Sequence, residues 1–362
     1  MPFRHPMTQL SHASLILLMI AALAGCTSVQ YYSQAISGQA ALMWSAQPVA
    51  AVLNDPEPPP ELKAKLATAT TALAFASDRL ALPVGDAYSD YVAFERPFVV
   101  VNLMAVPEFS LTPHQWCYPI VGCQSYRGYF DPDDARDEQA EFDQRQFDTF
   151  IGGVTAYSTL GWFDDPLHSG FTRLPDDRMV ALIFHELSHR VVYMNGDTAF
   201  NESFATAVEL EGLRLWLEQM SQPERFQQAL TRLQQRNQTL ALVADASVRL
   251  EAIYQRQQEI SPEQLRAEKA RQMSQLREDY LALSADWELP GPFGRQPPAF
   301  NNAHLALFRQ YNQHVPAFRQ LLRELNYHFD DFYRAVEALS ELTEEQRSKQ
   351  LATLAQRFDE HL

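Results

Sequence analysis

The chain has 362 residues, of which 46% are hydrophobic and 20% charged, an ordinary globular composition with room for one large domain or two modest ones. Its formal net charge is −16; residues 1–25 hold one Arg and no acid, so without them it is −16 − 1 = −17. Such an acidic balance argues against binding nucleic acid or anionic lipid through net charge.

Residues 1–25 read as a signal peptide. Arg4 sits in a short polar start, and the apolar run from Ala13 to Gly25 is too short to span a bilayer. It ends in Leu23-Ala24-Gly25-Cys26, which resembles a bacterial lipobox. That resemblance implies a lipidated Cys26 and a lipid anchor to a membrane of the bacterial cell envelope. Residue 27 is Thr rather than Asp, which by resemblance to lipoprotein sorting points to the outer membrane, facing the periplasm. A plain secretory signal with an incidental Cys stays open.

Residues 30–53 and 61–82 read as helices separated by the stiff breaker Asn54-Asp55-Pro56-Glu57-Pro58-Pro59-Pro60. A strand is expected in 92–106, where Phe98-Val99-Val100-Val101 runs towards Pro107. Residues 108–130 read as an aromatic loop holding Cys117 and Cys123. In an oxidising compartment these two are expected to form a disulfide; a pair of metal ligands is the rival reading. Val154 to Trp162 is a second strand candidate. Helices are expected over 176–194 and 198–220.

Residues 223–259 are helical, with a seam at Phe226, Leu230, Leu233, Asn237 and Leu240. Ser261-Pro262-Glu263 starts another helix that runs to about Leu283. Together, 223–284 read as an antiparallel hairpin: a lid, an arm or a protein partner's surface, or equally a packed extension of the helical body. After a loop at 290–298, residues 300–360 are helical with a break near Pro316. The expected fold is mainly α with a small β-sheet (α+β). It divides into a signal peptide (1–25), an N-terminal and zincin-like catalytic region (26–222), the hairpin (223–284), and a C-terminal helical region packing on the catalytic region (285–362).

The chemistry concentrates in Phe184-His185-Glu186-Leu187-Ser188-His189-Arg190. Side chains four apart share a helix face, so His185 and His189 can place two imidazole nitrogens on one zinc ion at about 2.0–2.1 Å. Glu186, at the edge of that face, can act as general base on a water held by the zinc and pass the proton to the leaving amine. The turn Asn195-Gly196-Asp197 precedes Asn201-Glu202-Ser203-Phe204-Ala205 on a second helix. Folding back, that helix would bring Glu202 over the His pair as third ligand, leaving the fourth position open for water. Glu209, nearly two turns further on the same face, either orients a ligand histidine or is solvated. A donor to the developing oxyanion is sought among Tyr157, Arg127, His304 and Tyr311. The strand near Tyr157 could also pair with an extended peptide.

These strings resemble the gluzincin metallopeptidases, and Asn201-Glu202-Ser203-Phe204-Ala205 is similar to the Asn-Glu-x-Phe-Ala of zinc aminopeptidases. The mature chain more closely resembles a family of bacterial zinc aminopeptidases, often lipoproteins, that is itself assigned by motif. The resemblance rests on Tyr31-Tyr32-Ser33-Gln34-Ala35, Trp116-Cys117-Tyr118-Pro119-Ile120-Val121-Gly122-Cys123, Tyr126-Arg127-Gly128-Tyr129-Phe130 and Asn301-Asn302-Ala303. It implies a one-zinc peptidase acting on peptide or protein substrates. Two features depart from aminopeptidase N relatives: the gap from His189 to Glu202 is shorter, and no Gly-Ala-Met-Glu-Asn string stands before the motif. These departures leave the zinc site intact and bear on the aminopeptidase reading, which is still the first expectation. The alternatives are an envelope endopeptidase and a non-catalytic metal-binding scaffold whose hairpin meets a protein partner.

Overall fold

The computed structural model describes residues 31–118, 122–155, 159, 163–309 and 314–359. It is mainly helical with small sheets. The stretch expected as one helix over 30–53 is divided: α1 (31–44), β1 (Gln47–Pro48) and α2 (Val49–Asn54). Pro48 forces the division, because it cannot donate into a helix begun upstream and serves instead as the N-cap of α2. The Pro-rich breaker ends at α3 (Pro60–Leu80), which has Pro at its first turn.

The expected strand is present as β2 (Asp90–Val92) and β3 (Val100–Pro107). The region read as loop contains three short strands, β4 (Trp116–Tyr118), β5 (Gly122–Gln124) and β6 (Arg127–Tyr129). Cys117 and Cys123 face each other across β4 and β5 and form a disulfide, with Cα atoms 3.9 Å apart. The acidic stretch after it received no element from sequence; it is α4 (Pro132–Gln144), capped by the Asp131 side chain accepting from the Asp133 N–H.

Most of the second strand candidate, Val154 to Trp162, lies outside the described residues, and a strand precedes it. That strand is β7 (Phe147–Val154), paired antiparallel along the whole of β3 from Val100↔Val154 to Pro107↔Phe147. Gly152-Gly153 is a poor strand signal, and long-range pairing overrides it. The short strand β8 (Leu167–His168) and the helical turn α5 (Ser169–Thr172) follow. Among the described residues three sheets result, ordered β1-β2-β8, β6-β3-β7 and β4-β5.

Next come α6 (Asp176–Ser188) and α7 (Thr198–Gln219). A 3-10 turn at Pro223–Arg225 leads into α8 (Phe226–Tyr254), and α9 (Pro262–Leu283) starts with a capping box between Ser261 and Gln264. The hairpin is a packed extension of the body. Val243, Leu250, Met273 and Leu276 share a core with Phe109, Leu111, Phe300 and Leu305. Arg266 pairs with Glu108 at 2.6 Å, and Lys269 with Asp148 at 2.6 Å. The expected seam is displaced: Asn237 is exposed, and Ala229, Gln235, Thr239, Val243, Ala246 and Leu250 are buried. Gln235, in the first half of that face, lines a cleft with Ala229.

The C-terminal part breaks more often than Pro316 alone predicts. It comprises α10 (Asn302–Arg309), α11 (Val315–Glu324), α12 (Phe329–Ser340) and α13 (Glu344–Arg357). Pro316 opens α11, Asn326 and Tyr327 turn the chain in left-handed conformations (φ 52° and 58°), and Thr343 caps α13. The main core joins α2, α3, α5, α6, α7 and α11–α13.

Candidate metal centre

Helix α6 is oriented by its apolar side. Met179, Val180, Ile183, Phe184 and Leu187 are fully buried, which turns His185 and His189 together towards α7. The helix ends at Ser188, short of the expected 194, with His189 as its cap. The last turn tightens through bonds from the Arg190 N–H to the Leu187 carbonyl and from the Val191 N–H to the Ser188 carbonyl. The two imidazole rings lie 5.0 Å apart and nearly perpendicular, at 83°.

The return to α7 is closed by Asn201. Its side chain accepts from the Met194 N–H and donates to the Met194 carbonyl, both at 2.8 Å. Asp197 caps α7 by accepting from the Phe200 N–H. Gly212 allows the close packing of α7 on its neighbours, since a Cβ there would meet Leu80 at 2.8 Å and Phe184 at 2.9 Å. This arrangement brings Glu202 back over the His pair. Its Oε2 is 3.4 Å from His185 Nε2, and its Oε1 is 3.8 Å from His189 Nε2.

His185, His189 and Glu202 thus offer three ligand atoms within 4.8 Å of one another. Donors around a tetrahedral ion at about 2.0–2.2 Å stand roughly 3.3–3.6 Å apart, so the gaps suit a shared cation. The 3.8 Å gap is too long for a direct hydrogen bond. The donor set, two imidazoles and one carboxylate, is that of an open zinc site. Glu209 completes the surroundings: its Oε2 lies 3.0 Å from His185 Nδ1, where it fixes the ring and leaves Nε2 directed at Glu202.

The electrostatics agree with that arrangement. Burial disfavours a charged His185, but hydrogen bonds and charges from Glu202 and Glu209 outweigh it and hold the imidazole pKa well above its usual range. Burial, reinforced by His185, pushes His189 down to about 4, so this ring is neutral and its nitrogen lone pair is available. Burial also tends to raise Glu202, yet the His185 hydrogen bond and the two imidazoles bring it below the usual carboxylate range. Glu186 is buried beside the pair, and desolvation pushes its carboxyl up to about 7. Behind it lies Tyr88, in a left-handed conformation (φ 61°); burial, Glu186 and Asp165 keep its hydroxyl protonated.

A cleft of about 610 Å³ opens on the site between α6, α7, the first half of α8 and the 290–292 loop. Besides His185, Glu202 and Glu209, its walls carry Arg178, Arg232 and Arg236. Tyr193 stands on the other flank. Its ring is 6.4 Å from that of His189, and its hydroxyl bonds Gln124 on the disulfide-closed strand pair.

Of the oxyanion candidates, Arg127 donates to Glu138 and lies over the Tyr31 ring at 3.9 Å. His304 bonds Asn301 and packs on Phe150. Neither touches the His pair among the described residues. Tyr157, Tyr311 and Cys26 lie outside the described residues. Sequence reasoning missed Tyr193, Tyr88 and Arg236. Tyr193 had a signal, since it repeats the four-residue step from His185 to His189. Arg236 had none, because it comes from a distant helix.

A family model described as "putative aminopeptidase" matches residues 30–351. No curated protein and no solved structure matches the chain.

Proposed function

The chain belongs to this family of putative aminopeptidases, and from that membership we propose a zinc-dependent peptidase that trims peptides from the amino end. One observation carries the metal assignment: His185, His189 and Glu202 converge from α6 and α7 within 4.8 Å. A zinc ion held by these three side chains supplies Lewis-acid polarisation of the scissile carbonyl and acidifies water.

The protein's own groups do the rest. Glu209 holds the His185 ring through Nδ1, so Nε2 stays a donor to the cation. Glu186 takes the proton from the attacking water and returns it to the leaving amine. Its desolvated carboxyl, at about 7, is poised for both transfers, and a nearby cation favours the ionised form that begins the cycle. Tyr193, beside His189 and held by Gln124, is positioned to donate to the developing oxyanion. The site opens onto a cleft rather than a closed core, so a peptide can reach it.

An endopeptidase is the second reading, and the cleft favours it in one respect. An aminopeptidase needs an acid free to receive the substrate's amine. In the cleft, Asp177 pairs with Arg232 at 3.1 Å, and Glu202 and Glu209 both face His185. We also propose that the protein is held at the outer membrane, facing the periplasm, by a lipid on Cys26.

The test is Glu186→Gln together with metal analysis. The substituted protein should retain about one zinc while peptide turnover falls on the order of 10²–10⁴-fold. Turnover that survives the substitution rejects Glu186 as the base. An N-terminally blocked peptide separates the two peptidase readings, because only the endopeptidase cleaves it.

A further inference from the structure

Helix α1 presents a largely exposed face among the described residues, met only at its first end, where the Tyr118 ring lies edge-on to Tyr32 at 6.1 Å. Tyr32 is 40% exposed, Ile36 68% and Trp44 89%. Ser33, Ser37, Ala40, Ala41 and Ser45 complete that face, and all are exposed. The positions 32, 36, 40 and 44 recur every four residues, so they form one stripe along the helix.

The opposite side fixes the helix to the body. Gln34 donates to the Gly128 carbonyl and accepts from the Phe130 N–H, on strand β6 and just beyond it. Leu42 is buried, and Gly38 lies so close to Phe130 that a Cβ would stand 2.2 Å from its ring. The exposed stripe is therefore a fixed feature of the surface.

Its charge is as unusual as its apolarity. No Asp, Glu, Lys or Arg occurs from residue 27 to residue 54, although 20% of the whole chain is charged; 28 residues of average composition would hold about six. Trp and Tyr with small polar residues are the composition of the bilayer's headgroup layer. This uncharged stretch begins directly after Cys26. Five residues separate Cys26 from the second α1 residue, Tyr32. An extended chain spans at most about 3.6 Å per residue, so α1 begins within roughly 20 Å of an anchor seated at the membrane surface.

We propose that the exposed face of α1 seats on a zwitterionic lipid surface, with Trp44, Ile36 and Tyr32 in the headgroup layer and the helix lying along the membrane. The proposal rests on the lipid-anchored reading of Cys26. Zwitterionic lipid is favoured because the stripe brings no cation, while the cleft flanking α1 sets Asp131 and Asp134 against Arg96 and the whole chain is acidic. The acyl anchor supplies the partition; α1, tethered beside it, sets how the molecule is held. No described helix is long and apolar enough to cross a membrane, which suits a helix lying on the surface.

The experiment uses the full, processed protein on phosphatidylcholine–phosphatidylethanolamine vesicles, with and without brominated acyl chains. Of the five tryptophans, Trp44 is exposed, Trp116 and Trp216 are buried, Trp287 is half-buried and Trp162 lies outside the described residues, so Trp44→Phe isolates the signal of Trp44. The expected result is flotation with the vesicles, quenching of the emission by brominated lipid, and loss of that quenching in Trp44→Phe. Ile36→Asp should also lose quenching yet still float and still cleave a soluble peptide. Flotation without quenching, equal quenching in Trp44→Phe, or seating only when anionic lipid is added overturns the proposal. Failure to float with no lipid on Cys26 by mass spectrometry overturns the anchor reading and the seating with it, a result distinct from an anchored protein whose α1 stays in water.

Discussion

Glu209 stands in the wall of the cleft and faces His185. Its oxygen, 3.0 Å from His185 Nδ1, accepts the proton of that nitrogen in a hydrogen bond, so a cation that displaces the other ring proton meets the lone pair of Nε2. Replacing it with Gln keeps the shape but allows the amide to present the wrong polarity. The expected outcome for Glu209→Gln is a zinc affinity about 10–100-fold weaker, read by competition with a chromophoric chelator. An unchanged affinity removes Glu209 from the site. Residues of this kind were legible in proportion to how local their reasons are. His185, Glu186 and His189 are spaced by the helix repeat and need no tertiary knowledge. Glu202 was legible only because a turn signal and a helix lay between it and His189. Tyr193 continues the same step just past the end of α6, where helical reasoning no longer applies. Arg236 reaches the cleft from another element and left no mark in the local sequence.

At the scale of elements, the placement of α7 depends on a pair of buried charges. Arg319 on α11 donates to Glu211 at 2.7 Å, with the two side chains 2% and 1% exposed, and Arg214 binds the other Glu211 oxygen at 2.9 Å. Burial alone would raise the Glu211 pKa, but Arg319 and Arg214 outweigh it and hold it below the ordinary carboxylate range. A carboxylate depressed in the folded state contributes stability above its unfolded value of about 4.3. That contribution is lost as pH falls through the folded pKa. Glu211→Gln removes the charge that Arg319 needs in a dry setting, and the expected cost is about 3–5 kcal/mol near neutrality. Urea midpoints measured against pH should show the largest gap between wild type and Glu211→Gln above pH about 5, closing in acid. A gap independent of pH would mean that the charge is not the cause. The same elements show why boundaries were harder to read than identities. Helices α6 and α9 follow from periodicity and caps, whereas β7 exists because β3 pairs with it and α8 buries Gln235 where a cleft lies beside it.

For the whole molecule, the question is whether the metal centre can exist without the C-terminal helices. Glu202 is flanked on α7 by Phe200 and Phe204, both fully buried. Their cover comes from α11 and α12: Phe318 lies 5.1 Å from Phe200 and 5.9 Å from Phe204, and Phe332 lies 5.8 Å from Phe204. Tyr333 donates to the Leu80 carbonyl at the end of α3, and Arg347 on α13 holds Asp197, the cap of α7, at 3.1 Å. Residues 300–360 read as helical from sequence, but their target did not show, because a contact across more than a hundred residues has no local signature. A chain ending at Arg309 would expose two phenylalanines on the element that carries Glu202. Each uncovered aromatic forfeits roughly 1.5–3 kcal/mol of burial, a large part of the 5–15 kcal/mol that holds an ordinary domain together. The truncated chain is therefore expected to lose both its cooperative thermal transition and the capacity to take up zinc proposed for the full chain, as measured by calorimetry and metal analysis on the same samples. A soluble truncation that melts cooperatively and keeps one zinc would show that α6 and α7 hold the site by themselves.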